Sequence, residues 1–392
     1  MPVWLYLLLI AVPGAVVSDL LHAPPLVTFI LAALGIIPLA GLIGDATESL
    51  AERVGPLVGG LLNATFGNAA EFIIGVAALA AGLPDVVRAS IAGAIIANAL
   101  FTLGSAMLAG GWRYGLQRFQ SRNAGQYALM LAVAVAGLAT PSLLATIGAS
   151  VATGGETVHG LALHEMSLVV AALLLVSYIA YLAFSVFGLR ATRRIPYPDG
   201  ELEDTPAKTA ASPARVPAPH GEESAPASGF VNWTRRLRAR GPAFDIVSLV
   251  VATALVAVVS ELLTGAIEPL SHELRLSPFF VGLIVLPLVG GAAEYATALR
   301  SALADHMEAT LAVTAGSSIQ IALLIAPLLI LVSPLVGAPL DLDFSQLELV
   351  IFGLVAGLFA LISLDGESTW LEGMQLCVFY LIVAVGAFFV AG

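Results

Sequence analysis

Two glutamates lie in apolar runs, where an ionised side chain is costly. Glu71 lies in FGNAAEFIIG, residues 66–75, and Glu294 lies in VGGAAEYATA, residues 289–298, and neither run has a second charge. A carboxylate at the centre of a bilayer costs on the order of 3 kcal/mol. Two carboxylates that face each other cannot both be ionised cheaply. Either two protons or one divalent cation would neutralise the pair, so the pair predicts a site at which protons and a divalent cation exclude each other.

Small and polar residues accompany both glutamates. Asn68 precedes Glu71 by three residues, and Gly67 and Gly290 precede Glu71 and Glu294 by four. On continuous helices, each of these residues would share the face of its glutamate. The two glycines would then clear that face, so that an ion or another helix could approach the backbone. Oxygen-bearing side chains also occur in the next apolar run of each half of the chain: Asn98, Ser317, Ser318 and Gln320.

Carboxylate, amide and hydroxyl oxygens together favour a hard cation. Ca²⁺ takes roughly six to eight such ligands. Histidine and cysteine are missing from these runs, which disfavours zinc and copper. The alternative is structural, with protonated glutamates and polar side chains that hydrogen-bond neighbouring helices. Ionisable residues inside a membrane are functional by default, and a related pair strengthens that interpretation.

The elements that position these residues are apolar helices. The chain has 392 residues, of which 59% are hydrophobic and 11% are charged, whereas a soluble domain has about 25% charged residues. The lone Cys377 leaves no disulfide framework and no cysteine-based zinc site. We therefore predict an all-α integral membrane protein with about eleven spans of roughly 20 residues each. The predicted spans are residues 3–21, 25–44, 56–82, 86–110, 124–147, 163–188, 243–266, 277–302, 308–335, 346–364 and 371–391.

The two halves of the chain resemble each other. A shift of 223 residues (294 minus 71) brings Glu71 onto Glu294, and it also brings Gly59, Gly67 and Gly93 onto glycines. Five spans per half is an odd number, so the second copy would be inverted in the membrane, as in many secondary transporters. The predicted organisation is an extra N-terminal helix in residues 1–24, a first five-helix repeat in 25–188, a disordered cytoplasmic linker in 189–242 and an inverted five-helix repeat in 243–392.

The placement of lysine and arginine predicts the orientation. If the loops after spans 2, 4, 6, 8 and 10 are cytoplasmic, every basic residue except Arg88 and Arg275 is cytoplasmic. The positive-inside rule then puts the N-terminus inside the cell. The linker is too poor in large apolar residues to fold alone, and its basic segment 233–240 is expected at the lipid surface. The short chain and lean loops favour a prokaryotic plasma membrane.

The segments LLNATFGNAAEFI, residues 61–73, and VGGAAEYATA resemble the paired signature repeats of the calcium/proton exchangers, the CAX family of the cation/calcium antiporter superfamily. GDATESLAERVGPLVGG (44–60), VSELLTG (259–265) and AGSSIQIAL (315–323) extend the resemblance. It implies that Glu71 and Glu294 are the central cation ligands and proton carriers, and that spans 2 and 7 form a sliding gate. It also implies a surrounding polar layer that consists of Asn68, Asn98, Ser317, Ser318 and Gln320.

The second repeat departs from the family pattern. The family's second motif usually reads G-N-A-A-E-H, whereas residues 290–295 read GGAAEY. Gly291 therefore stands where an asparagine is usual, and it is the counterpart of Asn68. We expect this mismatch to affect the choice of ion more than the mechanism.

The resulting expectation is a Ca²⁺/H⁺ antiporter that needs no cofactor and contacts membrane lipid, Ca²⁺ and protons but no nucleic acid. A sodium/calcium exchanger or a sodium (potassium)/proton antiporter of the same fold is the alternative. An enzyme is not expected, because neither HExxH nor GxSxG occurs, and the inverted repeats argue against a channel.

Glu261 and Glu48 are candidates for an ion access path. Each has a structural alternative. The side chain of Glu261 could extend to the membrane surface, and Glu48 could form a capping box with Asp45. His159 and His164 are expected to be surface residues.

Overall fold

The computed structural model describes residues 3–151, 161–187 and 241–390. Within these ranges the chain is almost entirely helical, with one two-stranded sheet. The predicted linker 189–242 lies outside the described residues except for its last two positions. Its basic segment 233–240 and His159 also lie outside them.

The helices of the first half begin with a 3-10 helix at Val3–Ile10. A π-helical turn, Ala97–Thr102, joins α4 to α5 without a break. The remaining elements are α1 Ala11–Leu20, α2 Pro25–Phe66, α3 Ala69–Ala80, α4 Pro84–Ile96, α5 Leu103–Tyr114, β1 Leu116–Arg118, α6 Ser121–Val151 and α7 Leu161–Phe187.

The second half has a similar construction. π-helical turns at Val281–Val285 and Ile321–Ile325 join α10 to α11 and α13 to α14, and a 3-10 turn, Ser333–Val336, follows α14. The remaining elements are α8 Pro242–Gly265, α9 Ile267–Leu274, α10 Pro278–Phe280, α11 Leu286–Gly290, α12 Ala292–Leu303, α13 Met307–Gln320, α14 Ala326–Val332, α15 Gln346–Ile362, β2 Glu367–Thr369 and α16 Trp370–Val390.

The helices have the length and composition of membrane spans. Among the described residues, seven helices are long and apolar enough to cross a bilayer, and an eighth span results if a bent pair is counted as one. Shorter apolar helices occur at Tyr6–Leu20, Ala69–Ala80 and Gln346–Ile362. The protein is therefore a multi-pass, all-α membrane protein, as predicted, whereas the number of eleven spans stays a prediction.

One predicted boundary is wrong. Residues 45–55, which the sequence placed between spans 2 and 3, continue helix α2. The helix kinks at Gly55, where φ is 86° and ψ is 172°, a conformation that glycine adopts easily. Asp45 and Glu48 lie inside this helix, so they do not form the capping box considered for them. The charged residues of this segment are typical of a loop, and for this reason the sequence pattern wrongly predicted a loop here.

Two helical spans break at corresponding points. Gly67 and Asn68 separate α2 from α3, and Gly291 separates α11 from α12. The second break bends the span by 58°. The shift of 223 residues that aligns the two halves brings Asn68 onto Gly291. Each break therefore lies three residues before a glutamate.

Contacts between loops join the two halves at both ends of the helices. At one end, β1 pairs antiparallel with β2, and Gln117 in β1 donates 2.9 Å hydrogen bonds to the carbonyl of Ala302 and the carboxylate of Asp305. At the other end, Arg88 donates a 3.0 Å hydrogen bond to the carbonyl of Asp341. His164 is not a free surface residue, because its Nδ1 atom lies 2.6 Å from the Asp341 carboxylate.

Glycines allow the two halves to approach closely near the breaks. A Cβ atom on Gly93 would collide with the carbonyl oxygen of Leu283, and one on Gly282 would lie 2.7 Å from the carbonyl oxygen of Val86. Side chains larger than hydrogen would therefore push α4 away from the first part of the bent span. This contact fixes the position of Asn98, which follows α4, relative to Gly291.

Candidate functional site

Both glutamates lie in the first turn of the helix that follows a break. Glu71 is the third residue of α3, and Glu294 is the third residue of α12. The N-terminal end of a helix carries a partial positive charge, which stabilises a nearby carboxylate by roughly 0.3–1 kcal/mol. The breaks also leave backbone groups without partners inside the helix. They therefore reduce the cost of an ionised glutamate and supply carbonyl oxygens close to it.

The two breaks face each other. A Cβ atom on Gly290 would lie 3.2 Å from Cγ of Glu71 and 3.5 Å from its Cδ and Oε1 atoms. Glu71 therefore reaches the end of α11, in the other half of the chain, and Oε2 of Glu294 would lie 3.9 Å from a Cβ atom on the adjacent Gly291. The Oε2 atom of each glutamate is buried, and no described residue forms a hydrogen bond with it. Burial of a carboxylate oxygen without a partner costs free energy unless a proton or a cation binds to it.

An amide layer lies on the α3 side of the site. Asn68 is buried and donates a 2.6 Å hydrogen bond from Nδ2 to Oε1 of Gln320. The hydroxyl of Ser317 donates to Oδ1 of Asn68 at 3.4 Å. These bonds join the first break to α13, the helix that follows α12 in the second half of the chain. Three of the polar residues singled out in the sequence thus form one network.

The α12 side of the site is built differently. Asn98, which is buried, accepts a 3.4 Å hydrogen bond from the hydroxyl of Thr102. Its Oδ1 atom would lie 3.9 Å from a Cβ atom on Gly291, at the second break. Because Gly291 has no side chain, the Asn68–Gln320 hydrogen bond has no counterpart here. Thr102 was not singled out in the sequence, since a threonine in an apolar helix has no distinctive pattern.

The glycines beside the breaks have a different role from the predicted one. The expectation that Gly67 and Gly290 clear the faces of their own glutamates assumed continuous helices and is wrong. Gly290 instead lies against Glu71 of the other half, and a Cβ atom on Gly67 would lie 3.3 Å from Oε1 of Gln320. Each glycine makes room for a polar side chain from the opposite half.

Ser318 lies next to the network without joining it. Its side chain is fully buried, and its hydroxyl donates a 3.0 Å hydrogen bond to the carbonyl of Thr314 in the preceding turn of α13. That bond holds the hydroxyl hydrogen against the backbone of its own helix. Ser318 therefore supports the helix that presents Ser317 and Gln320.

The two candidate access residues lie on helices α2 and α8. Glu48 in α2 and Glu261 in α8 are both exposed. At the end of α8 near Glu48, the buried Asp245 accepts a 2.7 Å hydrogen bond from Ser49 and forms a 3.4 Å ion pair with Arg53. The sequence does not indicate this link between α2 and α8, because an acidic residue in a first helical turn is common.

The charge at the site comes from two groups. Among the described residues, no cluster of three or more His, Cys, Asp or Glu side chains could hold a metal ion. Two carboxylates and neutral oxygens suit a single divalent cation that binds reversibly, because the full charge of the cation is then just balanced.

Comparison with known proteins covers almost the whole chain. The profile of the sodium/calcium exchanger protein family matches residues 24–187 and 244–389. A Ca(2+)/H(+) antiporter of Aphanothece halophytica is 38% identical over 383 residues, which are 97% of this chain and 95% of that protein. A Ca(2+)/H(+) antiporter of Synechocystis is 40% identical over 361 residues, 92% of this chain and 90% of that protein.

Comparison with solved structures gives the same family. The structure of native YfkE has a TM-score of 0.76 and 29% sequence identity, and the match covers 98% of this chain and 99% of YfkE. The predicted resemblance to the calcium/proton exchangers is thereby confirmed. The chain belongs to the sodium/calcium exchanger protein family, a family of membrane transporters.

Proposed function

We propose that this protein is a secondary active antiporter that exchanges Ca²⁺ for protons. One observation supports the proposal: Glu71 lies against Gly290 and Glu294 beside Gly291, and among the described residues no partner bonds the buried Oε2 atom of either glutamate. The similar proteins described as Ca(2+)/H(+) antiporters support the choice of ions.

The two glutamates couple the opposing fluxes through competition. One Ca²⁺ or two protons neutralise the two carboxylates, and each occupant uses oxygens that the other needs. A site that carries either occupant is neutral, whereas the empty site holds two facing charges in a medium of low dielectric constant. The site is therefore expected to change from one side of the membrane to the other only when an ion is bound. This condition produces exchange of the two ions rather than leak of one of them.

Neutral oxygens complete the proposed cation site. Asn68, Ser317 and Gln320 supply amide and hydroxyl oxygens on one side, and Asn98 supplies an amide on the other. A helix end leaves its last carbonyls without intrahelical partners, so carbonyl groups at the ends of α2 and α11 are proposed as further ligands. Gly67, Gly290 and Ser318 allow or support this arrangement rather than bind the ion.

We further propose that the halves are inverted repeats that alternate access to the site. Corresponding helix breaks and corresponding π-helical turns, Ala97–Thr102 and Ile321–Ile325, support this symmetry. Helices α2 and α8 would form the sliding gate. The contacts of Asp245 with Ser49 and Arg53 tie one end of α2 to α8, which favours movement of the two helices as a unit. Glu48 and Glu261, on these helices, would line the access path.

The proposed orientation has the N-terminus in the cytoplasm of a prokaryotic cell, with the protein in the plasma membrane. Arg113, Arg118 and Arg300 lie near the end of the helices that carries the β1–β2 sheet, whereas Arg88 lies at the other end. The positive-inside rule makes the end with the sheet cytoplasmic.

The second candidate is sodium-driven exchange, because the matching family is described as sodium/calcium exchangers. Everted membrane vesicles with an imposed pH gradient separate the two. A Ca²⁺/H⁺ antiporter accumulates Ca²⁺ against its gradient without sodium. If accumulation requires a sodium gradient and ignores the pH gradient, the proposal is wrong.

A further inference from the structure

Gly291 has the same place in the second half as Asn68 has in the first. Each directly precedes the helix that carries a glutamate, and each lies three residues before that glutamate. Asn68 fills its place with a carboxamide that is bonded to Gln320 at 2.6 Å. Gly291 puts no side chain there, so the α12 side of the site has no amide at the position that corresponds to Asn68.

The backbone does not require a glycine at this position. Its φ of −80° and ψ of 12° are open to any L-amino acid. A Cβ atom would lie 3.0 Å from the carbonyl oxygen of Pro287 and 3.9 Å from both Oδ1 of Asn98 and Oε2 of Glu294. A longer side chain would therefore point between an amide and a carboxylate. The backbone angles therefore do not demand a glycine here, and a side chain would require a shift of a few tenths of an ångström at the Pro287 carbonyl.

The space beside Gly291 is a cavity of about 200 Å³, which we call the Gly291 cavity. Asn98, Thr102 and Tyr295 line it, with apolar residues around them. The ring of Tyr295 stacks on that of Phe101 at 5.4 Å, which holds this wall in place. A water molecule occupies about 30 Å³ in the liquid, so the cavity has room for several.

The cavity also has the polar partners that an ordered water needs. Among the described residues, the side chain of Asn98 makes only the 3.4 Å hydrogen bond with Thr102, so most of its hydrogen-bonding capacity is free. No side chain or backbone group in the described ranges bonds the buried Oε2 atom of Glu294. A buried water typically makes two to four hydrogen bonds. The side chains of Asn98 and Thr102 line the cavity, and Oε2 of Glu294 would lie 3.9 Å from a Cβ atom on Gly291, which is part of the cavity wall.

We propose that water in the Gly291 cavity serves as a cation ligand beside Glu294, in place of the amide that Asn68 supplies beside Glu71. The inference rests on the proposed function, because it concerns the same ion. A bound cation then keeps part of its hydration shell on one side. Mg²⁺ dehydrates more reluctantly than Ca²⁺, so the cavity favours strongly hydrated divalent cations, and filling it favours Ca²⁺.

The test is to count the water ligands on a bound probe ion. Tb³⁺ replaces Ca²⁺ in oxygen-rich sites, and its luminescence decays faster in H₂O than in D₂O in proportion to the number of coordinated waters. We expect Tb³⁺ on the purified full-length protein to carry about one more water than Tb³⁺ on Gly291→Asn. Gly291→Ala, which adds a methyl group but no ligand, keeps the wild-type number. In competition with Tb³⁺, Gly291→Asn should bind Mg²⁺ more weakly relative to Ca²⁺ than the wild type does.

Equal numbers of water ligands in the wild type and Gly291→Asn overturn the inference. Gly291→Ser is the second variant, because its shorter side chain fits if asparagine prevents folding, and its hydroxyl should also displace one water. Glu71→Gln and Glu294→Gln locate the probe. If Tb³⁺ binding survives both changes, the proposed function fails. If binding depends on the glutamates but the water number never changes, only the inference about the cavity fails.

Discussion

A single methyl group at Gly290 should weaken cation binding although it removes no ligand. In Gly290→Ala the new Cβ atom would lie 3.2 Å from Cγ of Glu71 and 3.5 Å from its Cδ and Oε1 atoms. Carbon atoms in contact prefer a separation of about 3.5–4.0 Å, so the Glu71 side chain must retreat by roughly half an ångström. Functional groups tolerate displacements of about that size at most. We therefore expect the apparent Ca²⁺ affinity to fall about tenfold, which corresponds to about 1.4 kcal/mol.

The assay is the Ca²⁺ dependence of proton-driven uptake into everted vesicles. Gly316→Ala is the matched control, because a Cβ atom at Gly316 would meet none of the described residues within 4 Å apart from its own helix backbone. Gly316 lies in α13, the helix that carries Gln320. Glu71→Asp shortens the side chain, so adding Gly290→Ala to it should cost less than Gly290→Ala costs alone. If folded Gly290→Ala protein has the wild-type affinity, Glu71 does not lie against Gly290 when the ion binds, and the reasoning is refuted.

Three further results are expected. Asn68→Ala removes the bonds with Gln320 and Ser317 and should lower Ca²⁺ affinity by about 1 kcal/mol; in flux titrations, adding Gln320→Ala should change little more, and fully additive losses would contradict the network. Gly93→Ala collides with the carbonyl of Leu283 and should lower the melting temperature in detergent by several degrees, whereas Gly316→Ala should leave it almost unchanged. Acidification on the side from which Ca²⁺ binds should raise the half-saturating Ca²⁺ concentration, at most about tenfold per pH unit for each competing proton; pH-independent half-saturation would contradict shared oxygens.

The helices could be predicted because hydropathy determines them directly. The predicted span 243–266 corresponds to Pro242–Gly265, and the predicted span 371–391 to Trp370–Val390. The prediction that residues 45–55 lie between two spans was wrong for a physical reason. The charged residues of this segment emerge from the apolar region on a helix that continues to Gly55, and hydropathy measures only where the apolar region ends, not where the helix ends.

Glu71 and Glu294 could be singled out from the sequence, since buried carboxyl groups at corresponding positions are rare enough to indicate a site, and their role as a shared site stays a prediction. The helix breaks could not be located, although Gly67, Asn68 and Gly291 are residue types that favour caps over helix interiors. Such residues also occur inside membrane helices, where close packing requires them. Only the three-dimensional arrangement distinguishes a break from a packing contact.

The contacts across the site could not be predicted from the sequence for a related reason. Asn68 and Gln320 are 252 residues apart in the chain, and no local pattern indicates that they are bonded. The Gly291 cavity is a space between helices rather than a residue. A missing asparagine is visible in the sequence, but whether the protein collapses into the gap depends on packing. Pro287 and the stacked ring of Tyr295 border the cavity.

The most direct test of the proposed exchange is Ca²⁺ uptake driven by a pH gradient in vesicles that contain the wild type, Glu71→Gln or Glu294→Gln. Glutamine keeps the shape of the side chain but neither binds a proton nor supplies a charged ligand. We expect each variant to lose proton-driven Ca²⁺ accumulation while it remains folded in the membrane. If both variants retain wild-type proton-coupled flux, the two glutamates are not the shared site for Ca²⁺ and protons.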